Sequence, residues 1–197
     1  MSAVGPRHPG RPQQRPPWLV DAERLDLAVY AAIAATPSPA LDRAMGGLTR
    51  AADHSKLSLA AAAVLAVFGG AAGRRAATGG LAAVGVTATL VNVGLKLVAR
   101  RRRPDPVAAA VPITRQINMP VSHSFPSGHS AAAFAFATGV GGVLPGAAIP
   151  LRALASVVAY SRVHTGVHYP SDVIAGALVG VSLAELMGWG LRRRMPG

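Results

Sequence analysis

Three long stretches of this chain contain no Asp, Glu, Lys or Arg: residues 57–73, 76–95 and 116–151. The second, Ala76 to Leu95, makes a helix of about 30 Å at ~1.5 Å per residue, which is the hydrocarbon thickness of a bilayer. The first is shorter, yet spans with local thinning or with flanking groups that snorkel. The third is too long for one helix, and Pro120, Pro126, Pro145 and Pro150 divide it. It reads as a loop to Ser127, a span over 128–144, a tight turn through Pro145–Pro150 and a span to Val163. Ser171–Leu191 adds another, interrupted only by Asp172 and Glu185. The pattern predicts an all-α integral membrane bundle with five spanning helices, or six if an N-terminal segment also crosses.

Only 14% of the 197 residues are charged, whereas 51% are hydrophobic. The charges are lopsided, with 20 Lys and Arg against 8 Asp and Glu. A disordered basic tail would need low hydrophobicity, and a nucleic-acid binder would gather its arginines along one surface rather than at span ends. With no cysteine, a disulfide scaffold, a Cys-ligated zinc site and a thiol nucleophile are all excluded.

Residues 1–17, with five prolines and three arginines, read as a disordered basic arm. Residues 18–54 read as amphipathic interfacial helices, Leu19–Ala35 and Pro39–Ala52, whose apolar parts are short for a crossing. The bundle then occupies 55–194. Gly69–Gly73 and Gly176–Gly180 are both G-x-x-x-G, the spacing that lets helix backbones approach closely in lipid.

Ionisable groups at span ends are functional candidates because they are costly there. Three clusters stand out: Lys96 with Arg100–Arg103 and Pro104; Phe125-Pro126-Ser127-Gly128-His129; and Ser161-Arg162 through His168 to Asp172. If successive spans alternate in direction, all three fall on one face, with Arg74-Arg75, Pro145–Arg152 and Arg192–Arg194 on the other. Fixed cations beside a helix start suit an anion with several oxygens, since helix N-termini present free N–H groups and guanidinium binds phosphate in bidentate fashion. Two histidines divide the work of cleaving a phosphomonoester: one attacks phosphorus and the other protonates the leaving oxygen. Asp172, four residues after His168, is spaced to orient that imidazole and stabilise its charge.

The pattern Lys96-x6-Arg103-Pro104, Pro126-Ser127-Gly128-His129 and Ser161-Arg162-x5-His168-x3-Asp172 resembles the three-part signature of the type 2 phosphatidic acid phosphatase superfamily. The resemblance extends over about residues 20–190. It implies His168 as nucleophile, His129 as general acid and later base, and Asp172 as the orienter of His168. It also implies phosphate binding by Lys96, Arg103, Ser127, Gly128 and Arg162, with no metal and no cofactor. The expected substrate is a lipid phosphate or diphosphate in the cell membrane: an isoprenyl diphosphate, phosphatidic acid or phosphatidylglycerol phosphate. The site is expected on the extracytoplasmic face, a placement that rests on the resemblance because the basic residues divide between both faces.

Two other readings compete. A non-catalytic phospholipid-binding or transport protein would not need a histidine pair, and a vanadate-dependent haloperoxidase is soluble and larger. Arg100–Arg102 read as a membrane anchor, Asp53 and His54 as a solvated helix end with substrate contact as the second reading, and His164, Tyr169 and His123 as packing or lining groups. Glu185 has no evident role.

Overall fold

The computed structural model describes residues 16–36 and 38–194. Among them are eight α-helices and no strand: α1 (Pro17–Ala35), α2 (Pro39–Ala51), α3 (Lys56–Phe68), α4 (Gly70–Thr89), α5 (Lys96–Ala99), α6 (Gly128–Gly141), α7 (Pro145–His164) and α8 (Pro170–Arg194). The arm expected at 1–17 lies outside the described residues as far as 15, and Pro17 already opens a helix. Pro suits that first position because its missing N–H has no intrahelical partner there.

The interior is built from small residues and the exterior from large apolar ones. Ala76, Ala83, Ala131, Ala135 and Ala155 are buried, whereas Phe68, Val98, Leu178 and Ile149 stand outward, Phe68 at 82% exposure. Such an arrangement would be costly in water and is the expected one in lipid, where close backbone approach rather than apolar burial drives association. Among the described residues, two helices are long and apolar enough to cross a membrane: Gly70–Ala99, in which a π-helical stretch at Leu90–Leu95 joins α4 to α5, and Pro170–Arg193. The bent pair Pro39–Ala51 and Asp53–Phe68, at 61°, makes a third if counted as one span. The other expected crossings correspond to α3, α6 and α7, packed against these rods.

Several turns fall elsewhere than expected. The hairpin between α3 and α4 turns at Gly69-Gly70, where Gly70 adopts a left-handed φ of 60°. Arg74 and Arg75 therefore lie inside α4. Gly73 folds back so tightly that a Cβ would collide with the Leu65 carbonyl, so the first G-x-x-x-G serves its own hairpin. After α6 the chain turns at Gly142–Leu144 rather than through Pro145–Pro150, because Pro145 is tolerated as the first residue of α7.

Gly176 and Gly180 bring α8 against α6. A Cβ on either would strike a backbone carbonyl, of Ser127 and Ala131 respectively. The closeness allows the Ser127 N–H to donate to the Asp172 carbonyl at 2.9 Å, tying the two helix starts together.

The two N-terminal helices are packed on the bundle through polar groups. Asp26, Tyr30 and Ala34 form the buried stripe of α1. Asp26 accepts from the Ser171 N–H (2.8 Å) at the start of α8, where a helix N-terminus favours negative charge, and the Tyr30 hydroxyl donates to the Gly166 carbonyl (3.1 Å). Asp42 of α2 meets Arg115 Nε at 2.7 Å and His164 Nε2 at 2.9 Å. Arg115 is 1% exposed, and it also donates to the Ile33 and Thr36 carbonyls that end α1.

Candidate active site

The three clusters meet at one end of the bundle around a cavity of about 410 Å³. Lys96, Arg103, Gly128, His129, Arg162 and His168 all line it. Lys96 arrives at the end of the long α4–α5 rod, Arg103 on the following loop, and Gly128 and His129 at the first turn of α6. Arg162 comes from the last turn of α7, and His168 from the connection to α8.

Arg103 makes the closest contact to His168, with Nη1 at 3.1 Å from Nε2. A guanidinium can only donate, so Nε2 must accept and Nδ1 carries the ring proton. On the Nδ1 side lie Asp172 Oδ2 at 3.4 Å and Ser124 Oγ at 3.3 Å. The Asp172 carboxylate is fully buried and well partnered. It accepts from Ser124 Oγ (2.5 Å), the Tyr169 N–H (2.9 Å) and Arg101 Nη1 (2.8 Å). Burial pushes His168 down to about 4, reinforced by the Arg103 and Arg162 charges and opposed by its contact with Asp172. This favours the neutral imidazole, whose Nε2 lone pair is turned toward the cationic wall and held there by Arg103.

That wall is held ready by neutral partners. Arg103 donates to the carbonyls of Ser122 and Val167, both at 2.8 Å, and Lys96 Nζ donates to Ser122 Oγ at 3.2 Å. Gly128 lies close enough that a Cβ there would sit 3.6 Å from Lys96 Nζ. Arg162, 1% exposed, donates to Thr49 Oγ1 at 2.5 Å, and its Nε has no hydrogen-bond partner among the described residues. Opposite His168, the His129 Nε2 lies 3.0 Å from Asp53 Oδ1. A carboxylate only accepts, so Nε2 carries a hydrogen there.

Ser127, expected at the phosphate, is placed differently. It is fully buried, and its Oγ caps α6 by accepting from the Ser130 N–H (3.4 Å) and Ser130 Oγ (3.1 Å). Four participants were not anticipated. Arg101 is no membrane anchor: it bridges Asp172 and Asp26 (2.7 Å) and stacks over the Tyr169 ring at 4.3 Å. Asp53 is no solvated helix end, since it meets His129. Ser122 and Ser124 complete the set. The Arg101 side chain was hidden in a run of four arginines, where composition carries no signal about which one turns inward. His164 packs on Asp42 and Tyr160, as a packing group should.

An all-helical membrane bundle with cations, a helix N-terminus and two opposed imidazoles around one cavity defines a class of protein built to hold an anion with several oxygens. Comparison with known proteins gives the family. The PAP2 superfamily matches residues 76–195, more than half of the chain, and the protein belongs to it. It is 37% identical over 101 residues to decaprenylphosphoryl-5-phosphoribose phosphatase of Mycobacterium tuberculosis, a match covering 49% of this chain and 51% of that protein. Lipid A 1-phosphatase of Porphyromonas gingivalis is 36% identical over 104 residues, covering 51% of this chain and 20% of that one. The match thus spans about half the length of the first relative and a fifth of the second. Among solved structures, a transmembrane PAP2-type phosphatidylglycerolphosphate phosphatase from Bacillus subtilis superposes with a TM-score of 0.64 at 26% identity, covering 89% of this chain and 88% of that one. Aquifex aeolicus LpxE gives a TM-score of 0.64 at 25% identity, covering 84% and 95%.

Proposed function

We propose that this protein is a membrane lipid phosphatase that removes a terminal phosphate through a phosphohistidine, without a metal ion. The observation that carries the reading is the orientation of His168. Its Nε2 lone pair faces the cavity beside Arg103, while Asp172 and Ser124 hold the opposite edge of the ring.

In the first half-reaction Lys96, Arg103, Arg162 and the N–H groups at the start of α6 bind the phosphate oxygens in place of their present neutral partners. His168 Nε2 attacks phosphorus, and the bond to the leaving oxygen breaks. His129 acquires its second ring proton with the incoming phosphate monoester, whose negative charge favours the imidazolium, and hands its Nε2 proton to that oxygen. Asp172 stabilises the positive charge that His168 acquires. In the second half His129, now neutral, takes a proton from the attacking water, the P–N bond breaks and phosphate leaves. The three cationic side chains supply the charge stabilisation that a metal would otherwise give.

The substrate is a lipid phosphate or diphosphate. The names of the relatives favour a prenyl-linked phosphoribose, a saccharide lipid or a phosphatidylglycerol phosphate over any soluble phosphate. Leu57, Ala133 and Val158 line both the reaction cavity and an apolar cleft continuing past Ala61, Phe136 and Leu154, which is a route for the lipid chain between α3, α6 and α7. By the family resemblance, this end of the bundle faces the outside of the cell membrane.

The test is phosphate release from a lipid panel by detergent-purified protein in EDTA. His168→Ala is expected to lower kcat by about a thousandfold or more, as removal of a covalent nucleophile does. Vanadate is expected to inhibit as a five-coordinate phosphorus mimic. Wild-type turnover in His168→Ala, or a strict need for added Mg²⁺, would refute the mechanism. The face is tested by labelling single cysteines at Ala108 and Gly146 with a membrane-impermeant maleimide in intact cells, where only the first should react.

A further inference from the structure

A second cavity, of about 600 Å³, adjoins the first. Arg50, Asp53, Gln116 and Asn118 line it, and it shares His129 and Arg162 with the reaction cavity. Its lining omits His168, Lys96 and Arg103, so it opens on the acid side of the site, away from the nucleophile.

Asp53 stands at the junction. Its Oδ1 lies 3.0 Å from His129 Nε2 and 3.8 Å from Arg162 Nη1. The hydrogen on Nε2 is the one that an acid at this position delivers to the leaving oxygen. With Nε2 as the proton donor of the mechanism above, Asp53 Oδ1 marks the place of the leaving oxygen, and the group carrying that oxygen would extend into the second cavity. The backbone that sets Asp53 there is unusual: the next two residues, His54 and Ser55, are left-handed at φ of 55° and 59°. That conformation is disfavoured for any residue with a Cβ and clusters at functional sites.

We propose that this chamber holds the headgroup end of the leaving alcohol, the part next to the phosphate, and that this headgroup carries free hydroxyl groups, as a polyol or sugar does. The inference rests on the phosphatase reading above. A carboxylate accepts from two hydroxyls, the Gln116 and Asn118 amides both donate and accept, and Arg50 donates, which together satisfy a diol. A bare acyl or prenyl chain would offer no partner to Arg50, to the Asn118 amide or to the Gln116 carbonyl, whose own Nε2 already donates to the Val111 carbonyl (2.9 Å). As the P–O bond breaks, the Nε2 proton passes to the departing oxygen and the alcohol leaves neutral. Asp53, released from Nε2, accepts from a neighbouring hydroxyl of the same alcohol.

The experiment compares two lipids with identical dioctanoyl chains, phosphatidylglycerol phosphate and phosphatidic acid, whose leaving alcohols do and do not carry a free hydroxyl. Wild-type protein is expected to favour the first by at least tenfold in kcat/KM. Asp53→Ala and Asn118→Ala are each expected to reduce that ratio at least fivefold, chiefly through KM, with Asp53→Asn, which keeps an acceptor, losing less. If Asp53→Ala fails to fold, Asn118→Ala and Gln116→Ala carry the same readout from the loop. Equal wild-type use of both lipids, or variants that lower both in the same proportion, would overturn the chamber assignment while leaving the phosphatase intact. Hydrolysis of neither lipid, nor of any other in the panel, would overturn the phosphatase reading itself.

Discussion

Because Arg103 can only donate, its contact with His168 Nε2 settles which ring nitrogen holds the proton, and the remaining chemistry follows from that. The same burial that keeps His168 neutral sets a testable pH dependence. A histidine free in solution takes up its proton near 6.5, whereas His168 does so only near 4. Lowering the pH through 6 should therefore leave its ring uncharged, and protonation should remove the nucleophile only around pH 4. A ¹⁵N-histidine titration, with His168 identified by its absence in His168→Asn, checks this; a midpoint near 6.5 would contradict it. Arg101 acts through Asp172, as a positioning residue. Arg101→Ala should lower kcat by tenfold or more with little change in KM, because the carboxylate loses its charged partner, while Arg100→Ala should stay within twofold. Arg100 is exposed, and among the described residues its side chain donates only to the Leu97 carbonyl of the helix it follows. The chain itself shows Arg103 through its distance from Lys96 and the proline after it, but nothing in four consecutive arginines shows that Arg101 turns inward. Asp53 was equally illegible, for its partner His129 lies 76 residues away and only the left-handed kink brings them together.

At the scale of elements, the contact between α6 and α8 does most to form the site, since it brings the start of each helix to the other. Gly176→Val should force the Ser127 carbonyl away and with it the Asp172–Ser127 bond. Overpacking of this kind typically costs about 1–3 kcal/mol, so a lower Tm and a disproportionate loss of activity are expected. Gly190→Ala, in open space on the same helix, is the control and should match wild type in a thermal-shift assay in detergent. The uncharged runs made the long rods readable, because a bilayer demands about 20 apolar residues wherever a helix crosses it. The turns were less so. Arg74-Arg75 read as a loop because charge suggests water, yet the glycines just before them bend the chain more cheaply. Pro145 and Pro150 read as a turn because proline breaks helices, yet Pro145 starts one.

Over the whole molecule, the residues matched by the family begin at 76, but the site does not. Asp26 holds Arg101 and Ser171, Asp42 holds Arg115 and His164, and Thr49 holds Arg162, all from helices N-terminal to that boundary. The sequence reads these helices as interfacial, and amphipathicity alone does not show which of their residues face protein. Their buried polar stripe shows that they are structural. A chain starting at residue 56 would keep every signature residue and leave Arg101, Arg115 and Arg162 each short of a partner, inside a site where unpaired charge is costly. Phosphatase assays of such a truncation should read less than a hundredth of full-length activity, and adding back residues 1–55 as a separate polypeptide should restore part of it. Arg50 and Asp53, which line the second chamber, also come from this part of the chain, outside the residues that the family matches. Substrate preference can evolve there by exchanging the buckle rather than the blade.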